Sequence, residues 1–403
     1  MARIGGRRLE HPVAKYRCER CGYDEYRMSA REVGEIALGE CPRCGGDFQV
    51  VECGKKPKEL AEVEEAIGKR FEILDFSFRR GRGDFLVETR DPSRAFLKTF
   101  RAVKKRGFLI AMREREGELH LLTTKAPPVE KSNIATNIVL LLATIGTTLF
   151  AGFYLSSHNL VIQGAWGHFS NAILFSLALM AILGAHEMGH KIAAWRHDVA
   201  TTWPYFIPFP HPYIGTFGAV IKVKSPIPTK EALVEMGACG PILGFLLALP
   251  ITTMGIALSE PLGGELFKVL PTPLIFALLG IFKFGHFPSA LNPHPFAWAG
   301  FIGLLVTWLN LIPAGQLDGG HVVRGVLSKE QHHRLTRTLG FTFIVLGLLT
   351  GILPLTMWGL LILLLFGTPH GGALDDVSKL RGRQKIIVGV ALAIFILCLP
   401  IPL

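Results

Sequence analysis

Residues 186 to 190 read His-Glu-Met-Gly-His, inside the longer stretch LMAILGAHEMGHKIAAW. On a helix, positions i and i+4 share a face. His186 and His190 can therefore address one metal ion, with Glu187 beside it. Two imidazoles at this spacing with an adjacent carboxylate are the donor pair and general base of zinc-dependent peptide hydrolysis. The stretch closes an apolar segment, where an ionisable side chain costs about 2.5–3.5 kcal/mol on insertion scales. Residues kept against that cost line a cavity or a ligand path. Core histidines with satisfied hydrogen bonds, or a proton relay, are the competing readings.

A catalytic zinc takes three protein ligands and leaves one position for water or substrate. The third ligand is sought at the end of another apolar segment. NLIPAGQLDGGH, residues 310 to 321, supplies Asp318, which follows 34 positions without a charged residue. Pro313 breaks a helix, and Gly315, Gly319 and Gly320 allow close backbone approach. Broken helices at membrane depth are tolerated where they line a cavity. Asp318 is thus expected at the cytoplasmic end of its span, level with His190; a water-facing helix-end carboxylate is the plainer alternative. Asn310 lies two helical turns earlier (i, i+8), which puts its amide on the same side as a substrate-positioning or oxyanion group. The alternative for Asn310 is a hydrogen bond that patches the broken helix. His211 and His321 could also reach the site, and each reads first as a loop histidine.

The elements that must carry these residues follow from the charge distribution. The chain has 403 residues, 49% hydrophobic and 19% charged, with a net charge of +11. The charged share is below the ~25% of soluble domains. Lys, Arg, Asp and Glu crowd the chain as far as Lys131 and then vanish from Ser132 to Ala185. That window holds two helices of the ~20 residues needed to span a bilayer. Met236–Ser259, Phe284–Leu317, Thr338–Leu374 and Ile386–Leu403 are likewise free of them. In a membrane protein a basic excess marks cytoplasmic loops. No apolar run follows Met1, so the N-terminal part is expected to stay cytoplasmic.

Spans are expected at about 134–155, 169–194, 236–258 and 297–317, two more within 338–368, and a last helix over 386–402. Residues 271–296 read as re-entrant or interfacial. If they crossed fully, the basic stretch HVVRGVLSKEQHHRLTRT (321–338) would face outward. Before the spans, Cys18-x2-Cys21 and Cys41-x2-Cys44 lie 19 residues apart. In a reducing compartment this spacing is a structural zinc site. Cys53, Cys239 and Cys398 read as isolated small apolar residues. After the cysteines, the pattern is helix, two strands, helix, two strands, a small α+β domain.

The expected organisation is therefore a zinc ribbon (1–54), a cytoplasmic α+β domain (55–125), a linker (126–133), a membrane core (134–340) and additional C-terminal helices (341–403). The fold class is a polytopic α-helical membrane protein of about six to seven transmembrane helices.

HEMGH, followed far downstream by Asn310-x-x-Pro313-x-x-x-Leu317-Asp318-Gly319, resembles the site-2 protease family of intramembrane zinc metallopeptidases. GACGPILGF (237–245) resembles its glycine-rich third core helix, and IGTFGAVIKVKSPIP resembles its prokaryotic and chloroplast branch. The resemblance covers about residues 134–340. It implies His186, His190 and Asp318 as zinc ligands and Glu187 as catalytic base, acting on a transmembrane protein substrate in a lipid bilayer. One departure is the lack of an Asn after Gly240-Pro241, which puts a polar helper from that helix in doubt.

A transmembrane substrate must be unwound before its peptide bond is accessible. TFGAVIKV (216–223) alternates like a strand, and Phe217, Gly218, Ala219 and Val220 offer an edge for strand addition; a hairpin that only caps the membrane face is the alternative. A metal or proton transporter would string polar residues along a path, whereas here they gather at the ends of two helices. An inactive zinc-binding scaffold would not need Glu187. No aromatic-basic stripe accompanies the ribbon, which argues against nucleic acid. The expected location is the cell membrane.

Overall fold

The computed structural model describes residues 12–35, 40–128, 133–158, 167–261, 271–286 and 291–401. The first 11 residues of the expected ribbon segment, half of the expected linker (129–132) and residues 262–270 lie outside the described residues. The chain forms two compact units. One holds Met1–Pro128 with Leu374–Lys379; the other holds Val129–Ala373 with Leu380–Leu403.

In the first unit, β1 (Val13–Cys18), β2 (Asp24–Met28) and β3 (Phe48–Cys53) carry the ribbon. Helix α1 (Lys58–Gly68), β4 (Glu72–Arg79), β5 (Arg82–Glu88), α2 (Pro92–Lys104), β6 (Phe108–Arg115) and β7 (Glu118–Lys125) follow. Asp91 caps α2 by accepting from the Arg94 N–H, with Pro92 in its first turn. The sequence separates a ribbon from an α+β domain, but the strands form one seven-stranded sheet in the order β3-β1-β2-β4-β5-β7-β6. The join is the antiparallel pair β2–β4, with Tyr26 opposite Phe78 and Arg27 opposite Ser77. Leu60, Val63 and Ile67 of α1 and Phe96, Phe100 and Val103 of α2 bury against Phe85, Ile110, Met112 and Leu121 of the sheet. Leu374–Lys379 returns from far downstream to the β6 edge. There the Met112 N–H and Arg113 Nη1 both donate to the Leu374 carbonyl, and Asp375 is fully buried.

The second unit is helical: α3 (Ile134–Ser157), α4 (Gly167–Arg196), the hairpin β8 (Tyr205–Pro208) and β9 (Thr216–Val220), α5 (Lys230–Leu258), α6 (Leu274–Phe284), α7 (Pro295–Asn310), α8 (Asp318–Val326), α9 (Lys329–Thr350), α10 (Leu353–Phe366) and α11 (Gly382–Leu397). By length and composition α3, α4 and α5 can each cross a membrane. Phe282, Leu348 and Leu364 point outward, as suits a lipid surround that is itself apolar. Without a hydrophobic drive between them, such helices meet through small and polar residues. Thr148 of α3 and Ser176 of α4 share a hydrogen bond of 2.7 Å, and Gly152 lies against Ala172. Phe175, Leu179, Ile182 and Leu183 of α4 pack with Ala248 and Ile256 of α5 and with Ala297, Phe301 and Leu304 of α7.

One expectation changes here. The span expected to run to residue 317 stops at Asn310, where residues 311–317 turn around Pro313, and Asp318 opens a new helix. Within 271–296 the chain forms an 11-residue helix, α6, and α7 has already begun at Pro295.

Candidate functional site

Helix α4 presents His186 and His190 on one face, with ring centroids 4.9 Å apart. Both are buried, as is Glu187. Asp318, at the start of α8, brings one carboxylate oxygen to both: Oδ2 lies 3.1 Å from His186 Nε2 and 3.2 Å from His190 Nε2. Zinc with bonds near 2.0 Å sets tetrahedral N and O donors about 3.3 Å apart. Both oxygen–nitrogen distances are near that value and all three donor atoms lie within 4.8 Å of one another, a grouping that suits one zinc ion.

The second helix shaping this site is α5. Its Gly240 and Gly244 repeat the i, i+4 spacing of the histidines and face them. A Cβ at 240 would lie 2.1 Å from His190 Nε2, and one at 244 would lie 3.0 Å from His186 Nδ1. Side chains there would occupy the space of the rings, so the glycines are seats for the two imidazoles. Pro241 follows immediately inside the helix. One turn earlier, the Met236 carbonyl accepts from His190 Nδ1 at 2.6 Å. That bond puts the proton on Nδ1 and leaves the Nε2 lone pair able to take a metal ion. The adjacent Glu235 is buried and ties three helix ends together. It takes His197 Nε2 at 3.0 Å and Gln384 Nε2 at 3.0 Å, with Arg196 and Arg383 at 3.7 and 3.5 Å.

The turn at 311–317 folds back onto α8 through glycines. A Cβ at Gly319 would meet the Leu311 carbonyl oxygen at 2.0 Å, and one at Gly320 would meet that of Gly315 at 2.4 Å. This packing turns the Asp318 carboxylate toward α4. Asn310 also reaches the centre, by a different route from the one its spacing suggests. No continuous helix joins it to Asp318; it sits at the last turn of α7, and its Nδ2 lies 3.2 Å from His186 Nε2.

Phe217, Gly218, Ala219 and Val220 lie in β9, which pairs with β8 on one edge only among the described residues. Phe217 is exposed and stacks on Phe209. Just past the strand, the Ile221 backbone N–H faces the Glu187 carboxylate. His211 belongs to the hairpin turn and stacks on Phe209. His321 stands one turn after Asp318 on α8, with its Cβ against Gly237.

Sequence reasoning missed Met236, Glu235 and the seats at Gly240 and Gly244. The signal for Glu235 was present: it is the last carboxylate before an apolar run of 24 residues, Met236–Ser259.

In the first unit, Cys18 Sγ lies 3.6 Å from Cys44 Sγ, and Cys21 Sγ lies 3.7 Å from Cys41 Sγ. Zinc–sulfur bonds of about 2.3 Å place tetrahedral sulfurs about 3.8 Å apart, so this group also fits one zinc. Burial works against ionisation of Cys41, but the backbone donors of Arg43 and Cys44 together with the neighbouring Cys21 and Cys18 thiols outweigh it and bring the thiol down to about 7. A thiolate is the form that binds metal.

Residues 174–352 match the family model described as peptidase family M50. Over 239 residues the chain is 32% identical to probable zinc metalloprotease EGY1, chloroplastic, of Arabidopsis thaliana, covering 57% of this chain and 42% of that protein. The protein of the same name from Oryza sativa subsp. japonica is also 32% identical over 239 residues, covering 56% and 40%. Probable zinc metalloprotease EGY2, chloroplastic, of Arabidopsis thaliana is 29% identical over 242 residues, covering 56% and 41%. The chain thus spans less than half the length of these relatives. No solved structure matches it.

Proposed function

We propose that this chain, whose residues 174–352 carry a peptidase family M50 domain, is an intramembrane zinc metalloprotease that cuts transmembrane protein substrates. The observation that carries the reading is the meeting of Asp318 with His186 and His190 at 3.1 and 3.2 Å, although a β-hairpin and helices α5, α6 and α7 lie between them in the chain. His186, His190 and Asp318 would hold the ion, and Cys18, Cys21, Cys41 and Cys44 a second, structural one. A zinc ion held by two histidines and a carboxylate polarises a scissile carbonyl and lowers the pKa of bound water toward ~7.

The chain's own groups supply the rest. Glu187, beside the donors and shielded from water, accepts a proton during attack and returns it to the leaving amine. Asn310, whose amide stands next to the His186 donor nitrogen, positions substrate or donates to the developing oxyanion. The edge of β9 that is unpaired among the described residues takes an extended segment of substrate by strand addition, and the backbone N–H of the next residue, Ile221, faces Glu187. Burial of the donors lets their charges act in a low-dielectric setting. A transporter reading has less support, because the histidines of α4 and the carboxylate of α8 converge on one point.

The topology we propose has about six to seven spans, with the ribbon and α+β sheet on the cytoplasmic side of a cell membrane as a regulatory or recruiting module. The relatives are named chloroplastic, so an organelle-type membrane is the competing location. The test of activity is Glu187→Gln in detergent with a reporter membrane substrate. Zinc should stay bound while cleavage stops, because only the proton acceptor is lost. Cleavage at the wild-type rate would remove Glu187 from this role.

A further inference from the structure

Helix α8 has a weakness that matters to the site. It is nine residues long, and no side chain caps its N-terminus. Helices below ~12–15 residues are marginal on their own. Yet its first residue, Asp318, must hold one oxygen between two imidazoles. Gly319 and Gly320 seat its first turn, and the face beyond them needs another anchor.

That anchor is the turn at 370–372. The Gly372 N–H donates to His370 Nδ1 at 2.9 Å, and His370 Nε2 lies 2.8 Å from His321 Nδ1. The protons on this pair follow by elimination. Because His370 Nδ1 accepts, a neutral His370 carries its proton on Nε2, and that N–H donates to His321 Nδ1. His321 must then be protonated on Nε2. Burial first, and then the neighbouring His321, His332 and Arg324, hold the His370 imidazole down to about 3, so it stays neutral at working pH. His332 of α9 meets the His370 ring edge-on at 5.6 Å and is itself buried. The same turn presses on α8 a second time, where Gly372 lies against the guanidinium of Arg324. Asp318, His321 and Arg324 succeed each other at i, i+3 and i+6, so they form one row along the helix. The turn grips two members of the row, and Asp318 is the third.

We propose that His370 is a positioning residue: through its hydrogen bond to His321 it fixes the rotation of α8 and so sets the Asp318 carboxylate against His186 and His190. This rests on the protease reading above for its kinetic consequence, but the hydrogen bond itself is tested separately. His370→Gln keeps a donor near the Nε2 position, whereas His370→Phe keeps a ring and loses the donor.

The experiment uses the 403-residue chain in detergent with three readouts. These are the imidazole nitrogen shifts of His321, assigned by difference from His321→Gln; the rate of zinc release to a chelator; and kcat and KM on a reporter membrane substrate. His321 should be the Nε2–H tautomer in wild type and in His370→Gln, and a mixture in His370→Phe. His370→Phe should release zinc faster and lose about tenfold in kcat, the scale of one neutral hydrogen bond, with KM unchanged. His370→Gln should restore both. Should His370→Phe fail to fold, His370→Gln decides alone: loss of the single His321 tautomer there overturns the proposal. It is also overturned if His370→Phe leaves the tautomer, zinc release and kcat at wild-type values. A wild-type protein without zinc-dependent cleavage would sink the protease reading, and the tautomer would still decide this one.

Discussion

Gly240→Ala is the smallest change that should disable the site. The added Cβ would lie 2.1 Å from His190 Nε2, 2.4 Å from Cε1 and 2.5 Å from Cδ2, whereas ordinary contact begins at 3.4 Å. The ring would have to retreat until its nearest atom stood at 3.4 Å instead of 2.1 Å. It has no freedom to do so, because Nδ1 is tied to the Met236 carbonyl at 2.6 Å on the same helix that carries the new methyl. Moving α5 instead would separate it from α4, whose Gly189 already touches the Cys239 carbonyl. Metal ligands tolerate displacements of about 0.2 Å, so the shift is several times too large. Zinc analysis of the purified variant should show loss of the membrane-site ion with the ribbon ion retained, and cleavage should be abolished. Gly244→Ala should be milder, since its Cβ would meet His186 Nδ1 at 3.0 Å, far closer to ordinary contact. Gly146→Ala, with nothing within 4 Å, serves as the neutral control. Full zinc and full activity in Gly240→Ala would refute the seat argument.

Three further outcomes are expected. Cys18→Ser with Cys21→Ser should release one zinc and expose the β1–β3 end of the sheet to hydrogen exchange while the membrane site keeps its ion; unchanged stoichiometry by metal analysis would contradict the ribbon assignment. Asn310→Ala should keep zinc and lower kcat by about a hundredfold, the scale of one lost oxyanion donor, whereas an unchanged kcat would reduce it to a structural role. His332 and His370 are held by burial down to about 4 and about 3. The unfolded chain therefore binds their protons first, and their stability contribution is present above about 6.5 and lost as pH falls toward 4. Thermal unfolding should accordingly drop between pH 7.5 and 5.0, and His370→Gln should shrink that drop; an identical drop would remove His370 from it.

What the sequence disclosed depended on range. The histidines of α4 were legible because helical geometry alone puts i and i+4 together. Asp318 was legible because charge is so costly among apolar residues that its return marks a depth. Asn310 was singled out on a premise that fails, an unbroken helix through residues 311–317. Its amide nevertheless stands beside His186, because the end of α7 and the start of α8 both face α4. The seats at Gly240 and Gly244 were hidden, since a glycine in an apolar run looks the same whether it faces a ring or lipid. Met236 acts through its carbonyl, which sequence does not distinguish. The pairing of β2 with β4 and the return of Leu374–Lys379 to β6 are long-range backbone contacts. Short polar segments carry no periodicity that would announce them.

The central claim is that Asp318 and the α4 histidines form one metal site. Zinc content and cleavage of Asp318→Ala, measured beside His190→Ala and the double variant, test it most directly. Each single change should remove the membrane-site zinc and stop proteolysis, and the double change should add nothing, because either one already disables the unit. Full zinc and full cleavage in Asp318→Ala would place the third ligand elsewhere and contradict the account.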